Sequence, residues 1–84
     1  MTDEEFDLLD ELYFVYSFEH IKVELEWETE SLKKALKVLV DKGWVNCFKT
    51  VHEVLPKEEV EFESNYDQYF YLASKAGLFA HNER

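Results

Sequence analysis

Apolar residues recur at helical spacing from the start of the chain. Phe6, Leu9, Tyr13 and Tyr16 fall on one line, Leu8, Leu12 and Val15 lie beside it, and the acids between them form a wet face. Thr2 followed three residues later by Glu5 makes a capping box. The pattern predicts a first helix of roughly four turns. Ser17 is a second N-cap, and Phe18, Ile21 and Leu25 behind it predict a short second helix. A third helix starts at Glu28 or Thr29 and runs to Lys42. Its buried stripe is Leu32, Ala35, Leu36, Leu39 and Val40, and Gly43 stands where a left-handed residue ends a helix.

Beyond Gly43 the pattern changes. Trp44 to Val54 is rich in aromatic and β-branched residues, with Val45, Cys47 and Val51 on one parity and Trp44, Phe48 and Thr50 on the other, and reads as a strand. Pro56 and the acidic stretch from Lys57 to Asn65 read as a loop. Tyr69 to Ala73 reads as a second strand, able to pair antiparallel with the first. Ser74 caps a short terminal helix from Lys75 to His81, weakened by Gly77. The expectation is one α+β domain, mainly α, over residues 1–84: a three-helix bundle, a two-stranded hairpin and a short C-terminal helix.

Composition agrees with a folded domain. Hydrophobic residues are 46% and aromatics 17% of 84, with two Gly and one Pro, which excludes a disordered chain. Such a chain buries a little over ~60% of its unfolded surface, enough for one modest core. No apolar run approaches the roughly 20 residues of a membrane span, and the N-terminus lacks a signal-peptide core, so no membrane partner is expected. Cys47, the single cysteine, cannot form an internal disulfide, which points to a reducing, cytoplasmic setting.

The formal charge of −10 argues against an anionic partner until it is divided. Residues 1–30 carry eleven acids against Lys22. Residues 31–57 carry six lysines against Asp41 and Glu53. Residues 58–84 carry six acids against Lys75 and Arg84. The middle of the chain is therefore basic inside an acidic protein. Salt screens exposed charges beyond about 8 Å, so a local basic face can act independently of the net charge.

Three local sequences, in order, resemble a winged helix-turn-helix domain of bacterial and archaeal transcriptional regulators. Residues 17–27 (Ser-Phe-Glu-His-Ile-Lys-Val-Glu-Leu-Glu-Trp) are similar to the second helix and turn of that motif, with Trp27 where a small aliphatic residue often closes the turn. Leu32, Ala35, Leu36 and Leu39 followed by Asp41-Lys42-Gly43-Trp44-Val45 look like its third helix entering the first wing strand. Tyr71-Leu72-Ala73-Ser74-Lys75-Ala76-Gly77 is similar to the end of the winged strand. The resemblance covers about residues 3–80 and implies a winged helix fold and a DNA-binding regulator, with helix 29–42 as the recognition helix. Where relatives carry basic residues in the wing, this chain carries Glu58, Glu59, Glu61 and Glu63.

On that reading Thr29, Ser31, Lys33, Lys34 and Lys37 form the face toward double-stranded DNA. Ser31 and Lys34 would reach base edges, and Lys33 and Lys37 would meet phosphates. The alternative is a protein–protein interaction module on the same fold that binds no DNA and uses its acidic first helix or an exposed aromatic face. The partner-facing candidates are Phe14, Phe18, Tyr69 and Tyr71, since a small core cannot hide every aromatic, and a homodimer or another protein would cover them. His20, His52 and His81 fit no metal-ligand spacing. Cys47 reads as a small core residue. Neither a catalytic constellation nor a phosphate-cradling loop is present, so no enzyme activity, metal or cofactor is expected.

Overall fold

Helices at the start, middle and end of the chain begin where a Thr or Ser side chain satisfies a free backbone donor. The computed structural model describes residues 1–83. Helix α1 (Asp3–Glu11) opens on the capping box: Thr2 Oγ1 accepts from the Glu5 N–H at 3.1 Å and Glu5 Oε1 accepts from the Thr2 N–H at 2.8 Å. Ser17 caps α2 (Phe18–Leu25) by accepting from the His20 N–H. Helix α3 (Thr29–Asp41) ends at Lys42, and Gly43 follows at φ 78°, the left-handed region its missing Cβ permits. Ser74 caps α5 (Lys75–Asn82).

The first helix is shorter than its periodicity predicts. It stops at Glu11, and Tyr16–Ser17 becomes strand β1. The chain leaves the helix because β1 pairs with β4 (Phe70–Ala73), Tyr16 opposite Tyr71 and Ser17 opposite Phe70, and because the Leu12 carbonyl accepts from the Ala73 N–H at 2.9 Å. The expected 44–54 strand also divides. Strand β2 (Val45–Thr50) turns at Val51 and His52 into β3 (Glu53–Val54), where the Thr50 hydroxyl accepts from the His52 N–H. Strand β2 also pairs with β4, from Val45 opposite Ala73 to Phe48 opposite Phe70. The two-stranded hairpin is thus the centre of a four-stranded antiparallel sheet ordered β1-β4-β2-β3. The expected loop holds a 3-10 turn (Lys57–Glu59) and a short helix α4 (Phe62–Asn65).

Alternation along the strands divides the sheet into two faces. Val45, Cys47, Tyr71 and Ala73 point into the core with Leu8, Leu9, Leu12, Ile21, Leu32, Leu36 and Leu39 from the first three helices. Phe48, Phe70 and Leu72 lie half-buried on the other face. Among the described residues the result is a small α+β fold of five α-helices and one antiparallel sheet. Truncating any of the fully buried leucines to Ala costs about 2–5 kcal/mol, because a core this size has little to collapse into the cavity.

The C-terminal helix locks onto this core by close approach. The Ser74 N–H donates to the Trp44 carbonyl at 2.8 Å, and the Ser74 hydroxyl donates to the Gly43 carbonyl at 2.6 Å. Gly77 then faces the same Trp44 carbonyl: a Cβ there would lie 2.1 Å from its oxygen. The glycine that weakens the helix by propensity is required by contact. Among the described residues, no helix is long and apolar enough to cross a membrane.

Candidate functional site

Helix α3 carries Lys33, Lys34 and Lys37, and acids pair with the first and the last of them. The segment after β3 crosses the flank of α3 on its way back to the sheet. Lys57 Nζ donates to the Asp41 carbonyl at the end of α3, 2.9 Å away. Farther along, Lys33 Nζ pairs with Glu63 Oε1 at 3.0 Å and lies 4.7 Å from the centre of the Tyr66 ring. The hydrogen bond that Lys33 donates to Glu63 raises the Lys33 pKa from its ordinary value. Lys37 pairs with Asp41, one turn on, at 2.8 Å.

Of the five candidate DNA contacts, Thr29 is half-buried in the first turn, and Lys33 and Lys37 are held by acids. Ser31 and Lys34 are exposed, and Lys34 has no acidic partner among the described residues. Lys34 sits between Glu30 and Val38 on the outermost line of α3, so the helix presents no continuous positive strip.

The aromatic candidates separate as sharply. Phe14, in the turn after α1, is 68% exposed. Phe18, Tyr69 and Tyr71 are in the core. Phe18 meets the Tyr66 ring edge-on at 5.1 Å. The Tyr69 hydroxyl accepts from the Glu61 N–H at 2.9 Å, and the Tyr71 hydroxyl donates to the Tyr66 carbonyl at 2.6 Å. A tyrosine can hide its ring when its hydroxyl finds a backbone partner, and residues 61 and 66 of the segment before β4 supply the two partners. Of the four aromatic candidates only Phe14 is therefore exposed, and its ring packs obliquely on Tyr16.

Two of the three histidines pack on aromatic rings. His20 stacks on Tyr16 at 4.1 Å. His81 stacks on Phe6 at 4.3 Å, and its Nδ1 shares a 2.8 Å hydrogen bond with the Tyr13 hydroxyl. Its Nε2 lies 3.1 Å from Asp10, within ion-pair range but outside hydrogen-bond alignment.

A concavity lies between the start of α1 and the outer side of α3. It has a volume of about 780 Å³ and is lined by Trp27, Ala35 and Val38, with Glu4 and Glu28 at its margins. Trp27 reaches it from the turn between α2 and α3, where Glu26 adopts the left-handed conformation at φ 56°. At its base Glu5 is buried and meets Lys42 Nζ at 2.6 Å. In the sequence Trp27 stands out only as a bulky residue at a turn, and that bulk is the one local signal of this groove.

No family model matches this chain, and no curated protein or solved structure matches it.

Proposed function

We propose that this protein is a protein-interaction module on a winged-helix-like framework, recognising a basic partner rather than DNA. The order of three helices, hairpin and terminal helix supports that framework. The observation that carries the function is the neutralisation of α3: Lys33 is paired with Glu63 and Lys37 with Asp41. Recruiting either lysine to a phosphate means breaking an existing pair and bringing phosphate toward carboxylate, which removes the counterion-release gain that drives such binding. Elsewhere the surface favours cations. Of the eleven acids in residues 1–30 only Glu5 is buried, so ten remain at least partly exposed against Lys22. Electrostatic complementarity of this kind selects partners and speeds encounter more than it adds affinity.

A second reading keeps α3 as a DNA-contacting helix acting through Ser31 and Lys34, both exposed on its outer side. Titration of the full chain with mixed-sequence duplex DNA at ~50 mM salt, where electrostatic binding is strongest, separates the two. The interaction-module reading expects no binding and no movement of the Ser31, Lys33 or Lys34 amide resonances. Saturable, salt-sensitive binding with those shifts would establish the second reading instead.

A further inference from the structure

We infer that the groove between α1 and α3 is a docking site for a basic amphipathic helix from another protein, with apolar anchors against Trp27, Ala35 and Val38 and Lys or Arg side chains toward Glu4 and Glu28. The inference rests on the interaction-module reading and gives it a location and a partner chemistry.

The shape argument comes from α3. Ser31, Ala35, Val38 and Lys42 follow one another at spacings of four, three and four residues, so they form a single line along one wall of the groove. At 1.5 Å per residue that line is roughly 16 Å long, the length of about three helical turns. A partner helix of that length presents anchors at i, i+4 and i+7, the pattern by which helices enter grooves. Trp27 supplies a half-buried aromatic surface, and Val38 is left 40% exposed. Large aromatics in such positions carry much of the energy of protein interfaces.

The charge argument concerns what is already paired. Glu5, at the base, is satisfied by Lys42 and by the Thr2 cap, so the floor carries no uncompensated charge. Glu4 on α1 and Glu28 at the start of α3 both line the groove and have no ion pair among the described residues. Lys34 is the lone unpaired cation on the lining. Further exposed acids lie nearby in the chain: Asp7 on α1, Glu30 on α3, and Glu26 in the turn that precedes α3. An apolar slot between two acidic banks matches a helix with an apolar stripe and basic flanks. It is mismatched to an acidic helix, and a second copy of this chain would bring its own acids to those banks.

The test uses the full chain and a synthetic amidated peptide of about four turns with Leu at i, i+4 and i+7 and Lys at the flanking positions. A peptide with Glu in place of Lys and a scrambled Lys peptide are the comparisons. The Lys peptide should bind with Kd below about 1 mM and shift the Trp27 indole, Ala35 and Val38 resonances. The Val38→Arg variant, and separately the double variant Glu4→Lys with Glu28→Lys, should weaken it by about tenfold or more. All three substitutions are at exposed positions, and the wild-type shift map is a readout that does not depend on any variant folding. The proposal is overturned if the Lys peptide fails to bind, if the scrambled peptide binds equally, or if the folded variants bind unchanged. It is also overturned if the Trp27 and Val38 shifts depend on protein concentration without peptide, which would make the occupant a second copy. Binding of duplex DNA through α3 would defeat the underlying reading; a chain that ignores both DNA and peptide would defeat the groove alone.

Discussion

Lys33 on α3 and Glu63 on α4, thirty positions apart in the chain, meet at 3.0 Å with the Lys33 ammonium over the Tyr66 ring. The contact ties the acidic segment to the helix whose lysines most suggest a nucleic-acid surface. Both groups are reachable by solvent, so its consequence is a change in surface potential more than in stability.

Releasing those lysines should create an affinity that the wild-type chain lacks. The double variant Glu63→Gln with Asp41→Asn frees Lys33 and Lys37 without removing bulk. We expect weak duplex binding at ~50 mM salt, with a salt slope corresponding to about two neutralised phosphates. Equal DNA binding by wild type and variant would show that the two acids do not control this face.

Gly77→Ala should destabilise the fold, although Ala is the better helix former by about 0.8–1 kcal/mol. The new methyl would lie 2.1 Å from the Trp44 carbonyl oxygen and 3.2 Å from a Leu9 methyl, so α5 must move off the core. Overpacking of this kind costs about 1–3 kcal/mol. Urea unfolding followed by circular dichroism measures it; an unchanged midpoint would mean that α5 shifts without cost.

Acid should weaken the protein partly through Glu5. Burial pushes its pKa up, but the hydrogen bond from Lys42 and the Thr2 backbone N–H outweigh that and hold it below the ordinary 4.5. A carboxylate with a depressed folded pKa contributes stability that is present above its unfolded pKa and lost as pH falls through the folded one. The wild type should therefore lose stability below about pH 4.5, and Glu5→Gln should lose less over the same interval. Parallel pH profiles for the two proteins would contradict this. The comparison is made by urea midpoints at pH 7 and pH 3.

Cys47 should resist thiol reagents while the protein is folded. Its side chain is buried on β2, and desolvation pushes the thiol pKa up to about 12. The thiolate is the reacting species, so it is scarce at pH 8. Labelling with a chromogenic disulfide should be slow in buffer and complete in denaturant. Fast labelling of the native protein would show that β2 opens readily.

The parts of the fold that could be read from the chain are those set by neighbours a few residues apart. Thr2 with Glu5, Ser17 and Ser74 are caps because the donors they satisfy lie within three positions. Gly43 ends α3 because only local backbone geometry is at stake. The spans of α2 and α3 follow from apolar spacing for the same reason. The length of α1 does not: its spacing continues to Tyr16, but the partner of Tyr16 is Tyr71, and strand pairing with a distant segment overrides helical periodicity.

Function depended on such distant partners. Sequence alone determined that the chain is acidic, folded and locally basic near α3. Tertiary structure decided that Glu63 answers Lys33 where Asp41, one turn on, already answers Lys37, that Tyr69 and Tyr71 are core residues, and that Trp27 lines a groove. The physical reason is the same in each case. A charge, a ring or a cavity takes its meaning from what the fold brings within a few ångströms of it, and none of these neighbours except Asp41 lies within a helical turn in the chain.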